Sequence, residues 1–255
     1  MRDIDAAIEA RSKNFTGRGR VHWITHEGQL LKAPASPALL DKNLFEAGRI
    51  RGGNHDPRQR NYHGMYYFSQ TGKHVWHESL LEAKSLTGLD LYANIDAIAS
   101  QPCRIEFADG TTHFPDYLAL HTGGHQVLYD VKPESRITDP VIDQFARTLA
   151  LCDRVGWGYS ILTELSPQEQ LNVTYVSYFK HPQFHPGPEA VARLLDELDQ
   201  PKSFLDAARA LHGETLPDAR ASLLHLIWQG TVQTDLGLHL GDNSIIERNS
   251  HANQR

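Results

Sequence analysis

The sequence predicts an α/β fold followed by a smaller helical module, and three stretches carry that expectation. In the first, residues 112–120 and 126–133 form two apolar runs of strand length around Gly123-Gly124, the pattern of a tight β-hairpin. In the second, residues 139–155, Ile142, Phe145, Leu149 and Cys152 recur at the period of an amphipathic helix. The third is the run beyond residue 185, where three helical patterns precede two short strand-like segments.

Taken in order, residues 1–61 are poorly periodic and interrupted by Gly17, Gly19, Pro34, Pro37 and Gly52-Gly53-Asn54. They are expected to form a basic, partly irregular N-terminal arm. Residues 62–184 alternate strands and helices. Residues 65–68 and 74–76 suit a hairpin around Thr71-Gly72, and residues 78–87 suit a helix with Leu80, Leu81 and Leu86 apolar. A strand over 104–107 turns across Asp109-Gly110 into the hairpin already described; the 139–155 helix and a buried strand over 159–163 follow. His185-Pro186-Gly187-Pro188 reads as a linker to the module of residues 185–255. Its three helices center on Leu194/Leu195/Leu198, on Phe204/Leu205/Ala208/Leu211 and on Leu223/Leu224/Ile227/Trp228. Strands over 231–236 and 244–248 complete a winged-helix-like pattern, with a flexible tail from about residue 249.

Composition sets the outer bounds. Of 255 residues, 40% are hydrophobic, enough for a substantial core, and no run approaches the length of a membrane span. The N-terminus lacks the apolar region of a signal peptide, so a cytoplasmic protein, nucleoid-associated when bound to DNA, is expected. Cys103 and Cys152 are too few for a disulfide scaffold or a thiolate zinc site. The Arg51-Gly52-Gly53-Asn54 stretch lacks the Lys-Ser/Thr of a phosphate loop. Net charge is −6, distributed as +4 over residues 1–62, −6 over 63–180 and −4 over 181–255. So acidic a chain is expected to bind DNA weakly by itself and to be targeted by a partner.

The chemistry concentrates on the 112–133 hairpin. Antiparallel pairing brings Asp116, early in its first strand, close to Asp130 near the end of its second, with Lys132 on the same face as Asp130. Two carboxylates and an ammonium converging at a strand end are costly unless a metal or a phosphate joins them. Pro115-Asp116 followed by Asp130-x-Lys132 is the arrangement of the PD-(D/E)xK nucleases. In that reading Asp116 and Asp130, with the Val131 carbonyl, hold Mg²⁺, for which Mn²⁺ substitutes. Lys132 orients or deprotonates the attacking water, or stabilises the developing charge.

The order Glu78-Ser79-x-x-Glu82, Gln101-Pro102, Pro115-Asp116 and Asp130-Val131-Lys132-Pro133 resembles the TnsA family, the endonuclease subunits of heteromeric transposases. The likeness runs from about residue 60 to the C-terminus and extends to the 66–75 stretch. It implies a restriction-endonuclease-like core, a central mixed β-sheet flanked by helices, built in the order helix, three strands, helix, strand. It also implies Glu82, Asp116, Asp130 and Lys132 as the catalytic set, with Glu82 joining the metal ligands. Some members carry Gln where Asp130 stands; Asp is the commoner nuclease form. The implied activity is hydrolysis of one phosphodiester of double-stranded DNA at the 5′ end of a transposon, leaving 3′-hydroxyl and 5′-phosphate. The implied partners are a DDE-family transposase and an AAA+ ATPase. The alternatives are a stand-alone defence or restriction nuclease of the same fold, and a catalytically silent DNA-binding assembly subunit.

Glu82 is read as a helix-interior residue turned to the site, and Glu78 as a partner of the helix dipole at the helix start. Arg49, Arg51, Arg58, Arg60, Lys73, Lys84 and Gln101 are candidate DNA contacts. In the C-terminal module Arg209 and Arg220 are the cations near the second and third helices, which favors partner docking over groove reading. Trp228 is assigned to its core. Asp139 and Asp143 are assigned to the positive end of a helix dipole.

Overall fold

The computed structural model describes residues 2–51, 62–211 and 215–249, with side chains from Ile4 onward. It is mixed α/β, its antiparallel and mixed sheets flanked by helices. Two units divide it: Met1–Leu86 with Asn94–Glu164, and Thr87–Ala93 with Leu165–Arg255. The chain runs α1 (Arg2–Ser12), β1 (Gly19–Ile24), β2 (Leu30–Pro34), β3 (Gly64–Phe68), β4 (Lys73–His77), α2 (Leu80–Tyr92) and β5 (Ile95–Ser100). It continues through β6 (Arg104–Phe107), β7 (Thr112–His113), β8 (Tyr117–His121), β9 (Gln126–Val131), α3 (Asp139–Val155) and β10 (Gly158–Leu162). The second unit adds α4 (Pro167–Ser177), α5 (Pro188–Glu197), β11 (Lys202–Ser203), α6 (Phe204–Ala210), α7 (Leu216–Trp228), β12 (Val232–Gln233) and β13 (Ile245–Arg248).

The first unit holds two four-stranded sheets, ordered β2-β1-β6-β7 and β10-β9-β8-β5. In the second of these, β5/β8 and β8/β9 pair antiparallel and β9/β10 pair parallel. A parallel neighbour needs a crossover, and α3 is that crossover. Gly123 and Gly124 make the β8–β9 turn at φ +94° and +87°, left-handed values that glycine adopts without a Cβ penalty. Pro140 in the first turn of α3 and Gly156 at φ +93° after its end explain its bounds. The α3 side chains Leu151 and Cys152 share one core with Leu118, Leu128, Ile105 and Val21, so both sheets pack on that helix. Strand β10 lies at the sheet edge, which leaves it half-buried where a fully buried strand was expected.

Residues 2–51 are not the irregular arm that their weak periodicity suggests. Strand β1 is an interior strand between β2 and β6, with Val21 and Trp23 buried. Arg11 of α1 ion-pairs with Asp139 and, at 2.8 Å, with Asp143, so the acids of the α3 first turn also dock the N-terminal helix. Arg154 of α3 donates to the Ala35 carbonyl at 3.0 Å. The signal is faint because Ile4 and Ile8 alone mark the inward side of α1, and its buried strand is six residues long. The Gly52-Gly53-Asn54 cluster lies outside the described residues, as does the expected tail except for its first residue, Asn249, which donates to the Thr231 and Gly230 carbonyls.

In the second unit the three expected helices are α5, α6 and α7, and Trp228 is core. The expected strands shorten to β12 and β13, and β11 joins them in the order β11-β13-β12. Helix α4 was not anticipated, and the unit takes it in, dividing at Leu165 and not near residue 185. Its Asn172 donates to the carbonyls of Leu236 and Leu238, at 2.8 and 2.6 Å, and so anchors the loop after β12.

Gly17 carries φ +63°, and a Cβ there would sit 2.1 Å from the Ala150 carbonyl oxygen of α3. Gly17→Ala is therefore expected to cost about 2 kcal/mol or more. Gly28→Ala, at φ +84° with nothing within 4 Å, pays left-handed strain of about 1 kcal/mol. Thermal melts of the two variants compared with the parent measure this, and equal losses would remove the α3 contact as the cause.

Candidate active site

Asp116 sits immediately before β8, where backbone pairing gives way to side-chain pairing. Its N–H donates to the Tyr129 carbonyl at 3.0 Å and its own carbonyl accepts the Gln101 N–H at 2.7 Å. Its Oδ2 accepts the Val131 N–H at 2.7 Å. With Tyr117 opposite Tyr129, the strand register brings Asp116 next to Asp130, as the hairpin reading expected. Lys132 follows, its N–H donating to the Leu162 carbonyl at 2.9 Å. The Lys132 side chain is half-buried and makes no ion pair among the described residues.

Burial holds the Asp116 carboxyl well above the ordinary carboxylate range, and the charges of Asp130, Glu82 and Glu78 push it further; the Val131 N–H opposes them. Glu82 is raised as well, chiefly by burial, against the pull of the Glu78 N–H and the Ser79 hydroxyl. Asp116, Asp130 and Glu82 thus share one electrostatic neighborhood.

Glu82 is not a helix-interior residue. Helix α2 begins at Leu80, and Glu82 lies in its first turn. Its Oε2 accepts the Glu78 N–H at 2.7 Å and its Oε1 accepts the Ser79 hydroxyl at 2.9 Å. The Ser79 Oγ in turn accepts the Glu82 N–H at 3.2 Å. This is a capping box, legible in the sequence as Ser79-x-x-Glu82. Glu82 therefore does at the helix start what was assigned to Glu78. It still faces the site, with the Tyr117 hydroxyl 3.5 Å from its Oε2.

Asp130 is 3% exposed and both of its oxygens accept hydrogen bonds. His113 Nε2 lies 2.8 Å from Oδ2 and 3.0 Å from Oδ1, and the Tyr159 hydroxyl donates to Oδ2 at 2.5 Å. Gln144 of α3 donates to His113 Nδ1 at 2.7 Å. None of His113, Gln144 and Tyr159 was singled out from sequence, since they come from three elements that only the fold brings together.

Gln101 is buried, holds φ +47° without being glycine, and leaves its Oε1 without a partner among the described residues. Its carbonyl accepts the Ile50 N–H at 3.1 Å, so one strained residue links Asp116 to the segment bearing Arg49 and Arg51. Arg49 lies over the Trp76 ring at 4.4 Å and Arg51 over Phe114 at 5.7 Å. Arg49 and Lys73 also border a groove of about 560 Å³ with His74, Trp76 and strand β5. Lys84 is exposed on α2. Arg58 and Arg60 lie outside the described residues.

Among the described residues no three His, Cys, Asp or Glu side chains converge as a ready metal cage. The donors around Asp116 nevertheless fit a hard cation. They are the carboxylate oxygens of Asp116, Asp130 and Glu82, and their crowded negative charge, which adds to burial in raising Asp116, is what a divalent ion relieves. No family model matches the chain, and no curated protein matches it.

The raised Asp116 gives the metal-free protein a pH dependence. The unfolded chain releases this proton near pH 4 while the folded chain retains it, so folding stability falls as pH rises from about 4 through the folded pKa. Asp116→Asn keeps an acceptor for the Val131 N–H and removes the ionisation. Its melting temperature in chelator is expected to equal or exceed the parent's at neutral pH, with a shallower decline above pH 4. A variant that melts lower, with an unchanged slope, would contradict this.

Proposed function

We propose that the chain is a divalent-metal-dependent DNA endonuclease with a PD-(D/E)xK core, acting as the TnsA-like subunit of a heteromeric transposase. The observation that carries this reading is the sheet β5-β8-β9-β10, with α2 before β5, α3 between β9 and β10, and β6 and β7 diverted between β5 and β8 into the other sheet; Asp116 directly precedes β8, Asp130 lies on the adjoining β9 and Lys132 directly follows it. Counted within this one sheet, helix, three strands, helix and strand follow one another, which supports a restriction-endonuclease-like reading; the strand expected as the first of the three, residues 104–107, is instead β6 of the other sheet, where it pairs with β1, and the unanticipated β5 takes its place beside β8. Glu82 at the start of α2, electrostatically coupled to Asp116, supports the same reading.

Asp116, Asp130 and the Val131 carbonyl are the residues that would hold Mg²⁺, or Mn²⁺ in its place, with Glu82 as the third acid. The ion supplies Lewis-acid stabilisation of phosphate charge and a more acidic bound water. Lys132 orients the attacking water or stabilises charge developing on the phosphate. Hydrolysis leaves a 3′-hydroxyl and a 5′-phosphate at the 5′ end of the element.

The second unit supports a winged-helix-like reading through its order α5-β11-α6-α7-β12-β13 and its sheet β11-β13-β12. Its helix cations are compensated: Arg209 pairs with Asp206 at 3.6 Å and Arg220 with Asp242 at 2.6 Å. That favors docking of a protein partner, a DDE-family transposase or an AAA+ ATPase, over reading a DNA groove. Among the described residues no helix is long and apolar enough to cross a membrane.

The test is a nicking assay with Mg²⁺ or Mn²⁺ on duplex DNA bearing the element's ends, with and without the transposase. Asp116→Ala and Lys132→Ala are expected to reduce cleavage by about a hundredfold or more. Glu82→Gln preserves the capping box, because Gln serves at that position, so a comparable loss there would be chemical and not structural. Glu78→Gln is expected to cost far less. Full cleavage by Asp116→Ala would sink the mechanism. In a separate binding titration the pure chain is expected to hold duplex DNA weakly and to release it at moderate salt. Nanomolar, salt-resistant binding would contradict that.

A further inference from the structure

Asp130 occupies an improbable place for a carboxylate. It lies on β9 between Leu128, which is fully buried, and the half-buried Lys132, near the thiols of Cys103 and Cys152. Those thiols are raised mainly by burial and further by the Asp130 charge, so the carboxylate is felt inside an apolar layer. Burying such a group is costly unless donors surround it. Two elements besides β9 supply them, His113 from β7 and Tyr159 from β10, and Gln144 of α3 holds His113 in turn.

The hydrogen bonds have a direction. Gln144 donates to His113 Nδ1, so the proton of a neutral ring is on Nε2, which donates to Asp130. Burial and the Asp130 charge both raise the Tyr159 phenol, which stays protonated and donates as well. Oδ2 thus receives two donors while Oδ1 receives only the longer His113 contact, at 3.0 Å, and retains acceptor capacity. An inert core could replace this polar group with apolar side chains at little or no loss. The retained charge, moreover, reaches Asp116, whose carboxyl it raises.

We infer that His113, oriented by Gln144, and Tyr159 are positioning residues that fix Asp130 for binding a divalent cation. The inference rests on the nuclease reading of Asp116 and Asp130. It assigns to three residues outside the PD-(D/E)xK motif the outer-shell role that hydrogen-bonded partners of metal-ligating carboxylates play.

The experiment is calorimetric titration of the full chain with Mn²⁺ in the absence of DNA, accompanied by Mn²⁺-dependent shifts in melting temperature. His113→Leu removes the imidazole donor and Tyr159→Phe removes the phenol donor. His113→Gln carries an amide N–H at about the reach of Nε2. His113→Leu and Tyr159→Phe are expected to weaken Mn²⁺ binding by about 10- to 100-fold, the usual cost of an outer-shell partner. His113→Gln is expected to restore it to within a few-fold of the parent. Should His113→Leu fail to fold, Tyr159→Phe and His113→Gln carry the comparison. Parent-like Mn²⁺ affinity in folded Tyr159→Phe and His113→Leu would overturn the inference and leave the nuclease reading standing. No Mn²⁺ uptake by the folded parent chain would overturn that reading, and the inference with it.

Discussion

The antiparallel pairing of β8 with β9, Tyr117 opposite Tyr129, is the constraint on which the rest of the first unit depends. The turn at Gly123-Gly124 sets that register, and the His121 N–H bond to the His125 carbonyl at 2.7 Å closes it. A slip of one residue would exchange the faces of the strand. Leu118 and Leu128 would leave the core they share with α3, and Asp130 would leave His113 and Tyr159. The same strand β9 then accepts β10 in parallel, which is possible only because the 17 residues of α3 span the return.

Around that hairpin several local rules are broken within a short stretch. Asp116 is an acid raised by burial and by neighboring acids, Asp130 is a carboxylate inside an apolar layer, and Gln101 takes a left-handed backbone. Each is unfavorable alone and is held by specific partners: the Val131 N–H, the His113 and Tyr159 donors, and the backbone bonds from Gln101 to Asp116 and from Ile50 to Gln101. Violations clustered in this way fit the proposed active site. Charge is treated differently in the second unit, where its Arg209 and Arg220 sit against acids of their own unit.

Much of the architecture was legible because it is locally encoded. The 3.6-residue period of α3, the glycine turn of β8–β9, the β3–β4 hairpin around Thr71-Gly72 and the three helices of the second unit were all in the pattern of apolar residues and breakers. The proximity of Asp116 to Asp130 followed from strand geometry alone. The capping box of Ser79 and Glu82 is equally local: it starts α2 at Leu80, two residues later than the apolar pattern suggests, and it occupies Glu82 at the helix start.

Other features were decided by long-range contacts that carry no local period. Strand β1 becomes an interior strand because β6, some 80 residues later, pairs with it, and α1 is secured by Arg11 reaching the acids of α3. Asp130 was legible as one acid of a motif, but its burial, its donors His113 and Tyr159 and the Gln144 that holds His113 were not, since β7, α3 and β10 meet only in the fold. By itself the sequence determined α3, the β3–β4 and β8–β9 hairpins, the three helices α5, α6 and α7 and which acids share a hairpin, because propensity, turn chemistry and side-chain alternation act over a few residues; it did not reveal α1, β1, β2, β5 or α4. Only the tertiary structure decided which donors those acids face and how strongly they repel one another, because burial and Coulomb interactions depend on distance in space and not along the chain.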